Sequence, residues 1–335
     1  MEPILADRIR GVLFGQAVGD ALGFGTEFLS RAEVIRDYPT GLQSYSQIRQ
    51  YSYITRQYEQ LQDWRWQPGD WTDDTDQMLC ILDSLLTHQK LDIHDIATRL
   101  HQWAVTDGFG IGGTVYHVIH DPEFVHNPHR VAEEQWEARN RQPAANGGVM
   151  RTSVLGIWEY PFPERVRFNA EQVCRITHAD PRCLGSCVAV CLAISRLLKG
   201  VESINQLINT IALEVQSYHP EMEVYFAKAA KDSLEELDLD EGLNREEQTT
   251  WGYTLKTLGA AFWALGHAKT FSDGLLAIIH EGGDADTNAA VAGALLGARF
   301  GYQSIEPEWI EGLIYRQQLE ERCESLIQLC SEWQN

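Results

Sequence analysis

Two short acidic segments, far apart in the chain, contain the residues best suited to chemistry. Each combines repeated aspartates with a threonine and leads into an apolar helical run; their sequences are WTDDTD at 71–76 and GGDADTN at 282–288. Carboxylate and hydroxyl oxygens are hard ligands, which suit magnesium, manganese or calcium better than zinc. The two segments therefore predict the halves of one oxygen-lined metal site.

Helix capping is the alternative explanation, since Asp, Thr and Asn side chains all accept from the free N–H groups at a helix start. A cap needs only one acid, however, and several acids crowded together without a cation would repel one another. We therefore predict a metal pair about 3.5–4 Å apart, bridged by one shared carboxylate. An EF-hand is excluded, because its twelve-residue ligand pattern and final glutamate are missing. The acids concerned are Asp73, Asp74, Asp76, Asp284 and Asp286.

Two glycine stripes indicate how these segments are brought together. Glycine costs a helix about 1 kcal/mol per position relative to alanine, so a stripe on one face implies close approach of another backbone. We predict that the helix at 5–23 packs directly against the helix after residue 288. This packing would bring Asp20 and Glu27 close to the second acidic segment. The stripes are Gly11, Gly15, Gly19 and Gly23 in the first helix and Gly293, Gly297 and Gly301 in the second.

Helical spacing recurs along nearly the whole chain, and convincing strand alternation is absent. We find no composition break that marks a linker, so the pattern predicts a single all-α domain over residues 1–335. A segment at about 38–68 is aromatic-rich and aperiodic, which predicts a long irregular connection. The last two helices are predicted at about 306–319 and 320–332.

Two glycine-rich turns raise the question of phosphate binding, because glycine lets backbone N–H groups approach an anion at a helix start. They lie at 108–114 and 146–151. Neither is a P-loop, since the lysine and its spacing are missing, and no strand precedes them as in a dinucleotide fingerprint. Taken alone, both motifs are weak, and simple turns explain them better than phosphate binding does.

Composition excludes several classes of protein. The formal net charge of −21 disfavours nucleic acid and anionic membranes as partners. No apolar run approaches the roughly 20 residues of a membrane span, and charged residues at 7–10 argue against a signal peptide. Seven cysteines fit free thiols in a reducing cytoplasm, with Cys183, Cys187 and Cys191 as buried packing on one helix face. We expect a cytoplasmic protein, and a monomer as the default state.

With these residues in view, the chain resembles the ADP-ribosylglycohydrolase family, which includes dinitrogenase-reductase-activating glycohydrolases and jellyfish crystallin relatives. The resemblance extends from about residue 8 to residue 301 and rests on ordered motifs. Each motif is short, but their order along the chain makes an accidental match improbable. The motifs lie at 15–23 with Glu27, at 71–75, at 146–151, at 177–181 and at 282–287.

The resemblance implies an all-α orthogonal bundle with a centre of two Mg²⁺ or two Mn²⁺ ions. One ion would be held by Thr72, Asp73, Asp74 and Asp286. The other would be held by Asp284, Asp286 and Thr287, so that Asp286 bridges the pair. Glu27 would contact the distal ribose or help to activate water. The implied catalytic residues are Glu27, Asp73, Asp74 and Asp286.

The resemblance also implies a substrate and a reaction, namely hydrolysis of the C1″ bond of an ADP-ribosyl group on a protein or a small molecule. The turn of Asn146, Gly147 and Gly148, together with Gly112, would receive the pyrophosphate. His178 would contact the adenosine half. From the residues alone, His178 reads instead as a surface histidine at a helix break.

Two alternatives remain at this stage: a catalytically silent, crystallin-like structural relative, and a two-metal hydrolase of another nucleotide compound. All six metal-ligand positions carry suitable residues, which argues against the silent relative. The chain departs from the family in two places, the long segment at 38–68 and the extra acid Asp76. Nothing in the sequence identifies the linkage that is cleaved.

Overall fold

The structure, a computed structural model, describes residues 2–52, 57–59, 66–142, 144–201, 203–241 and 252–332. Within these ranges the chain is built from α-helices, apart from one short hairpin, and the predicted all-α class is confirmed. The helices are α1 (Pro3–Gly23), α2 (Arg31–Asp37), α3 (Asp73–His88), α4 (Ile93–Thr106), α5 (Gly113–Ile119), α6 (Pro128–Ala138), α7 (Pro163–Cys174), α8 (Pro181–Lys199), α9 (Ile204–Val215), α10 (Glu221–Ala229), α11 (Thr254–His267), α12 (Phe271–Ile279), α13 (Ala285–Phe300), α14 (Pro307–Gly312) and α15 (Arg316–Glu332).

Helices α1 and α13 form the centre of the fold and make its most extensive contact. Their glycine stripes face each other. A Cβ atom on Gly15 would clash with the Gly293 carbonyl oxygen, and one on Gly19 would clash with the Ala289 carbonyl oxygen. The two backbones therefore touch, as predicted. Both helices are buried on nearly all sides, which suits their small, largely apolar residues.

The other helices form layers around this central pair. Helices α8, α11 and α12 pack against α13, while α3 contacts both α1 and α13. Helix α8 is long and apolar enough to cross a membrane by length and composition alone, but 83% of that stretch is buried inside the protein. It is thus a core helix of this fold. Its cysteines are buried free thiols, as expected from their spacing.

The segment predicted to be irregular contains a short antiparallel hairpin, β1 (Gln50–Ser52) paired with β2 (Gln57–Glu59). Residues 53–56 and 60–65 of that segment lie outside the described residues. Its two ends are anchored to the helical body. The Tyr45 hydroxyl donates to the Trp309 carbonyl at 3.0 Å, and the buried Trp66 ring packs on Phe24 with centroids 4.6 Å apart. The expectation of an entirely irregular connection was therefore wrong.

The last two helices break earlier than predicted. Helix α14 ends at Gly312 and α15 begins at Arg316, whereas the sequence pattern placed the boundary at 319–320. The cause is a tertiary contact. The Ile314 N–H donates to the Gly69 carbonyl at 3.0 Å, and Leu313 is buried in an extended conformation. The chain leaves the helix here to pair with the turn before α3.

Substituting Gly15 by alanine should destabilise the protein strongly. The new methyl group would collide with backbone on α13, which cannot rotate away as a side chain can, so we expect a loss of about 3 kcal/mol in the free energy of unfolding. Gly113→Ala is the matched control, because a Cβ there meets nothing within 4 Å. Urea unfolding measures both. Equal stability of the two variants would contradict direct backbone contact between α1 and α13.

Candidate metal centre

The N-termini of α3 and α13 meet beside the C-terminal end of α1. The residues that precede these helices, Thr72 and Asp284, make no side-chain hydrogen bond that caps their own helix. Capping was the alternative explanation for both acidic segments, and it fails for both of these residues. In the space where these helix ends meet, the Thr72 hydroxyl lies within hydrogen-bond distance of Asp20 and Asp74, and an Asp284 oxygen lies beside oxygens of Glu27 and Asp286.

Two groups of carboxylates share this space. Oxygen atoms of Asp20, Asp74 and Asp286 lie within 4.8 Å of one another, and so do those of Glu27, Asp284 and Asp286. Asp286 belongs to both groups. The prediction that helix packing would bring Asp20 and Glu27 to the second acidic segment is thus confirmed. Each group could hold a metal ion.

A pair of backbone hydrogen bonds holds the loop of Glu27 beside Asp284 and Asp286. The Phe28 N–H donates to the Gly283 carbonyl at 2.7 Å, and the Gly283 N–H donates to the Leu29 carbonyl at 2.8 Å. Phe28 has a φ of 60°, an unusual value for a non-glycine residue, and Gly282 lies so close to Leu29 that no Cβ would fit there. The glycine pair before Asp284 is therefore needed to join the two loops.

Asp20 anchors the start of α3. One carboxylate oxygen accepts the N–H and the hydroxyl of Thr72 at 2.9 and 2.8 Å, and the other accepts the N–H and hydroxyl of Thr75 at 2.9 and 2.7 Å. These bonds replace the cap that Thr72 does not provide. They also occupy the roughly four acceptor positions of a carboxylate. Sequence reasoning placed Asp20 nearby but missed this role, because its partners are 52 and 55 residues away.

The cluster holds more negative charge than the protein compensates. Burial, reinforced by repulsion between the acids, raises the pKa values of Glu27, Asp73, Asp74 and Asp286 well above their usual range. Among the described residues, no lysine or arginine forms an ion pair with any of these groups. One oxygen of Asp74 is buried without any hydrogen-bond partner. An all-oxygen donor set with an unpartnered carboxylate oxygen fits a hard divalent cation.

Asn146 holds one of the acids in place. Its side-chain N–H group donates to Asp284 at 2.5 Å and to the Thr257 hydroxyl at 3.0 Å. The Thr257 hydroxyl in turn donates to the Asn288 side chain at 2.8 Å. Asn146 was predicted to bind substrate; in the structure its side chain orients a carboxylate of the cluster.

The glycine loop before α5 passes beside the same cluster. Gly110 has a φ of 80°, and a Cβ on it would lie 2.8 Å from an oxygen of Asp73. The Gln77 side chain donates to the other Asp73 oxygen at 2.9 Å. Gly112, two residues along this loop, is exposed and a Cβ there would meet nothing within 4 Å. Backbone of this loop is therefore accessible next to the acids.

His178 is buried, which contradicts its interpretation as a surface residue at a helix break. Its Nδ1 lies 2.8 Å from the Thr177 hydroxyl, and its Nε2 has no hydrogen-bond partner. A Cβ on Gly147 would lie 3.1 Å from the ring, so the histidine lines the second glycine turn. Burial and the positive charge of Arg151 lower the pKa of His178 to about 3. The imidazole is neutral at physiological pH.

Asp76 faces away from the cluster, although the sequence analysis counted it among the crowded acids. Its two oxygens accept the indole N–H groups of Trp71 and Trp103 at 2.8 and 3.0 Å. Two residues correspond to about 200° around a helix, so Asp76 and Asp74 lie on opposite sides of α3.

Comparison with known proteins agrees with the resemblance. The sequence model of the ADP-ribosylglycohydrolase family matches residues 1–335. The chain is 25% identical over 329 residues to an ADP-ribosylarginine hydrolase of Serratia proteamaculans, covering 97% of this chain and 80% of that protein. It is 25% identical to the ADP-ribosyl-[dinitrogen reductase] glycohydrolase of Rhodospirillum rubrum, covering 93% and 92%. A solved ADP-ribosylglycohydrolase-related protein complex matches with a TM-score of 0.67 and 26% identity, covering 98% of this chain and 100% of that chain.

In the absence of metal, the protein should lose stability as pH rises. Burial raises the pKa values of Asp20 and Asp284 from 3.8 to about 6. Between those limits the folded state holds more protons than the unfolded state, so the free energy of unfolding falls with increasing pH. The stabilising contribution of protonated Asp20 and Asp284 is fully present below about pH 4 and is lost above about pH 6. The pKa values of Asp74 and Asp286 are also raised well above their usual range, so these acids extend the fall in the free energy of unfolding to higher pH.

Thermal melts in the presence of a chelator, from pH 4 to pH 8, test this expectation. Asp284→Asn removes one titrating group, so its melting temperature should fall less steeply than that of the wild-type protein. A wild-type melting temperature that rises over this range would contradict the assignment of proton binding to the cluster.

Proposed function

The chain belongs to the ADP-ribosylglycohydrolase family, and we propose that its acidic cluster is a two-metal centre that activates water to cleave the C1″ bond of an ADP-ribosyl group. The observation that carries the proposal is the position of Asp286, which belongs to both carboxylate groups. A residue that bridges two ions must have this position. The charge imbalance of the cluster supports the same conclusion.

The proposed ligands divide between the helix starts. One ion would be held by residues at the start of α3 and the other by residues at the start of α13, with Asp286, which lies in both carboxylate groups, contributing to each. Oxygen-only donors favour Mg²⁺ or Mn²⁺. Asp20 is left out of the set, because its lone pairs are taken by Thr72 and Thr75. The ligands for the first ion are Thr72, Asp73, Asp74 and Asp286, and those for the second are Asp284, Asp286 and Thr287.

Bound ions of this kind supply Lewis acidity and make water a better nucleophile. The protein supplies the proton acceptor. Glu27 is half-buried beside Asp284 and Asp286, and burial together with their negative charge raises its pKa. It takes the proton of the attacking water while the oxygen atom forms the new bond at C1″. The bond to the leaving side chain breaks, that side chain leaves with its electron pair, and Glu27 returns to it the proton taken from the water.

The two glycine turns bind the rest of the substrate in this proposal. The Gly147–Gly148 turn and the loop containing Gly112 receive the pyrophosphate through backbone N–H groups. The accessible backbone at Gly112 and the packing of His178 on Gly147 support this placement. His178, neutral and with a free ring nitrogen, contacts the adenosine half.

The names of the relatives suggest which substrates to test first. One relative is named an ADP-ribosylarginine hydrolase and another an ADP-ribosyl-[dinitrogen reductase] glycohydrolase. We propose that this chain acts on ADP-ribosylated protein or on a small ADP-ribose conjugate, with arginine as the first linkage to test. We also propose one catalytic domain over residues 1–335 and a reducing, cytoplasmic location, which its seven free thiols fit.

Asp286→Asn should abolish turnover, because it removes the carboxylate that the two ions share. We expect at least a roughly 1000-fold loss of kcat for release of ADP-ribose, with little change in the melting temperature measured at pH 5. Calorimetry should also show weakened Mn²⁺ binding. Asp76→Asn is the control: the same change, in the first turn of α3 but facing away from the cluster, should retain activity. Near-wild-type hydrolysis by Asp286→Asn would refute the metal assignment.

A panel of substrates should reveal the linkage. Arginine-, serine- and acetyl-linked ADP-ribose are each incubated with Mg²⁺ or Mn²⁺, and release of ADP-ribose is measured. We expect release from the arginine-linked compound. Metal binding without release from any of the three would contradict the proposed reaction.

A further inference from the structure

A fully buried arginine lies between the metal centre and the second glycine turn. The Arg151 guanidinium donates to the Gln77 side-chain oxygen at 2.7 Å and to the Thr177 hydroxyl at 2.6 Å. Among the described residues, no carboxylate forms an ion pair with it. Burial of an unpaired guanidinium is costly, which raises the question of what Arg151 does.

On one side, Arg151 determines the orientation of an amide. A guanidinium can only donate hydrogen bonds, so the Gln77 atom facing it must be the oxygen. The Gln77 N–H group is then left to face Asp73, to which it donates at 2.9 Å. A flipped amide would set N–H against N–H and oxygen against carboxylate. Arg151 thus ensures that Asp73 receives a donor.

On the other side, Arg151 determines which nitrogen of a histidine carries the proton. The Thr177 hydroxyl accepts from Arg151 and has a single hydrogen of its own to donate. Among the described residues, its other hydrogen-bond partner is the Nδ1 atom of His178 at 2.8 Å. If Nδ1 carried a proton, the buried hydroxyl hydrogen would have no acceptor among the described residues, so we assign Nδ1 as the acceptor and place the proton of the neutral ring on Nε2. That N–H is buried, unpartnered and adjacent to Gly147.

We propose that Arg151 is a positioning residue that orders the hydrogen bonds on both sides of it, at the acidic cluster and beside the Gly147 turn. Through Gln77 it presents an N–H donor to Asp73, and through Thr177 it makes His178 an Nε2–H donor. The acceptor of this second donor is an oxygen or unprotonated ring nitrogen of the substrate. The identity of that substrate rests on the proposed function; the two hydrogen-bond orientations do not.

The tautomer of His178 directly tests the proposed link from Arg151 through Thr177 to His178. In ¹⁵N NMR spectra of the metal-free wild-type protein at neutral pH, we expect Nδ1 unprotonated and Nε2 protonated. Thr177→Val removes the hydroxyl and should give a mixture of tautomers and about tenfold weaker binding of ADP-ribose by calorimetry. Thr177→Ser keeps the hydroxyl and should restore both properties, which a purely steric role of Thr177 does not predict.

Metal affinity tests the proposed link from Arg151 through Gln77 to Asp73. Gln77→Leu removes the donor to Asp73 and should weaken Mn²⁺ binding by about tenfold or more, leaving the His178 tautomer unchanged. Thr177→Val should leave Mn²⁺ binding unchanged. Arg151→Met should alter both properties together. If Arg151→Met does not fold, as circular dichroism and a thermal melt would show, the two other variants decide the matter.

Several results would overturn this assignment. One is a wild-type His178 protonated on Nδ1; another is a Thr177→Val variant with an unchanged tautomer and unchanged ADP-ribose affinity. An Mn²⁺ affinity equal to that of the wild-type protein in Gln77→Leu would overturn the proposed link from Arg151 through Gln77 to Asp73. Failure of the wild-type protein to bind ADP-ribose is a separate outcome: it would contradict the proposed function, while the tautomer measurement would still decide the role of Arg151.

Discussion

Direct contact between the backbones of α1 and α13 is the constraint on which the rest of the structure depends. The glycines at the crossing let the helices approach until a Cβ on any of them would collide with backbone of the facing helix. Because of this approach, the end of α1 carries Asp20 and the loop of Glu27 to the start of α13. The wider spacing of ordinary helix pairs would separate these acids from Asp284 and Asp286. Packing and chemistry thus depend on the same small residues.

The acidic cluster also buries negative charge that no ion pair among the described residues compensates. The acids of the cluster repel one another, and the protein holds them with neutral donors rather than with cations: Asn146 on Asp284, Gln77 on Asp73 and the Asp286 contact with the Thr287 N–H. Neutral donors orient carboxylates without neutralising them. The cluster therefore keeps negative charge that could bind a metal ion, and the hydrogen-bond link from Arg151 to Asp73 runs through the Gln77 side chain.

Where sequence reasoning went wrong, a tertiary contact overrode a local pattern. The 312–316 break comes from the Ile314 bond to Gly69, which no local signal indicates. His178 follows a helix and precedes a proline, which is typical of a surface turn, yet α8 and the Gly147 turn bury it. Asp76 has the same residue type and sequence neighbourhood as Asp74, but on the other side of α3 it accepts the indole N–H groups of Trp71 and Trp103.

The sequence by itself determined the helical class, the α1–α13 pairing and the two acidic segments, because periodicity, glycine spacing and residue type are local properties written along the chain. Only the tertiary structure decided that Asp20 caps α3 from 52 residues away, that Asn146 orients Asp284, and that Arg151 joins Gln77 to Thr177. Hydrogen-bond direction depends on which donor meets which acceptor in three dimensions, and no spacing along the chain encodes that meeting.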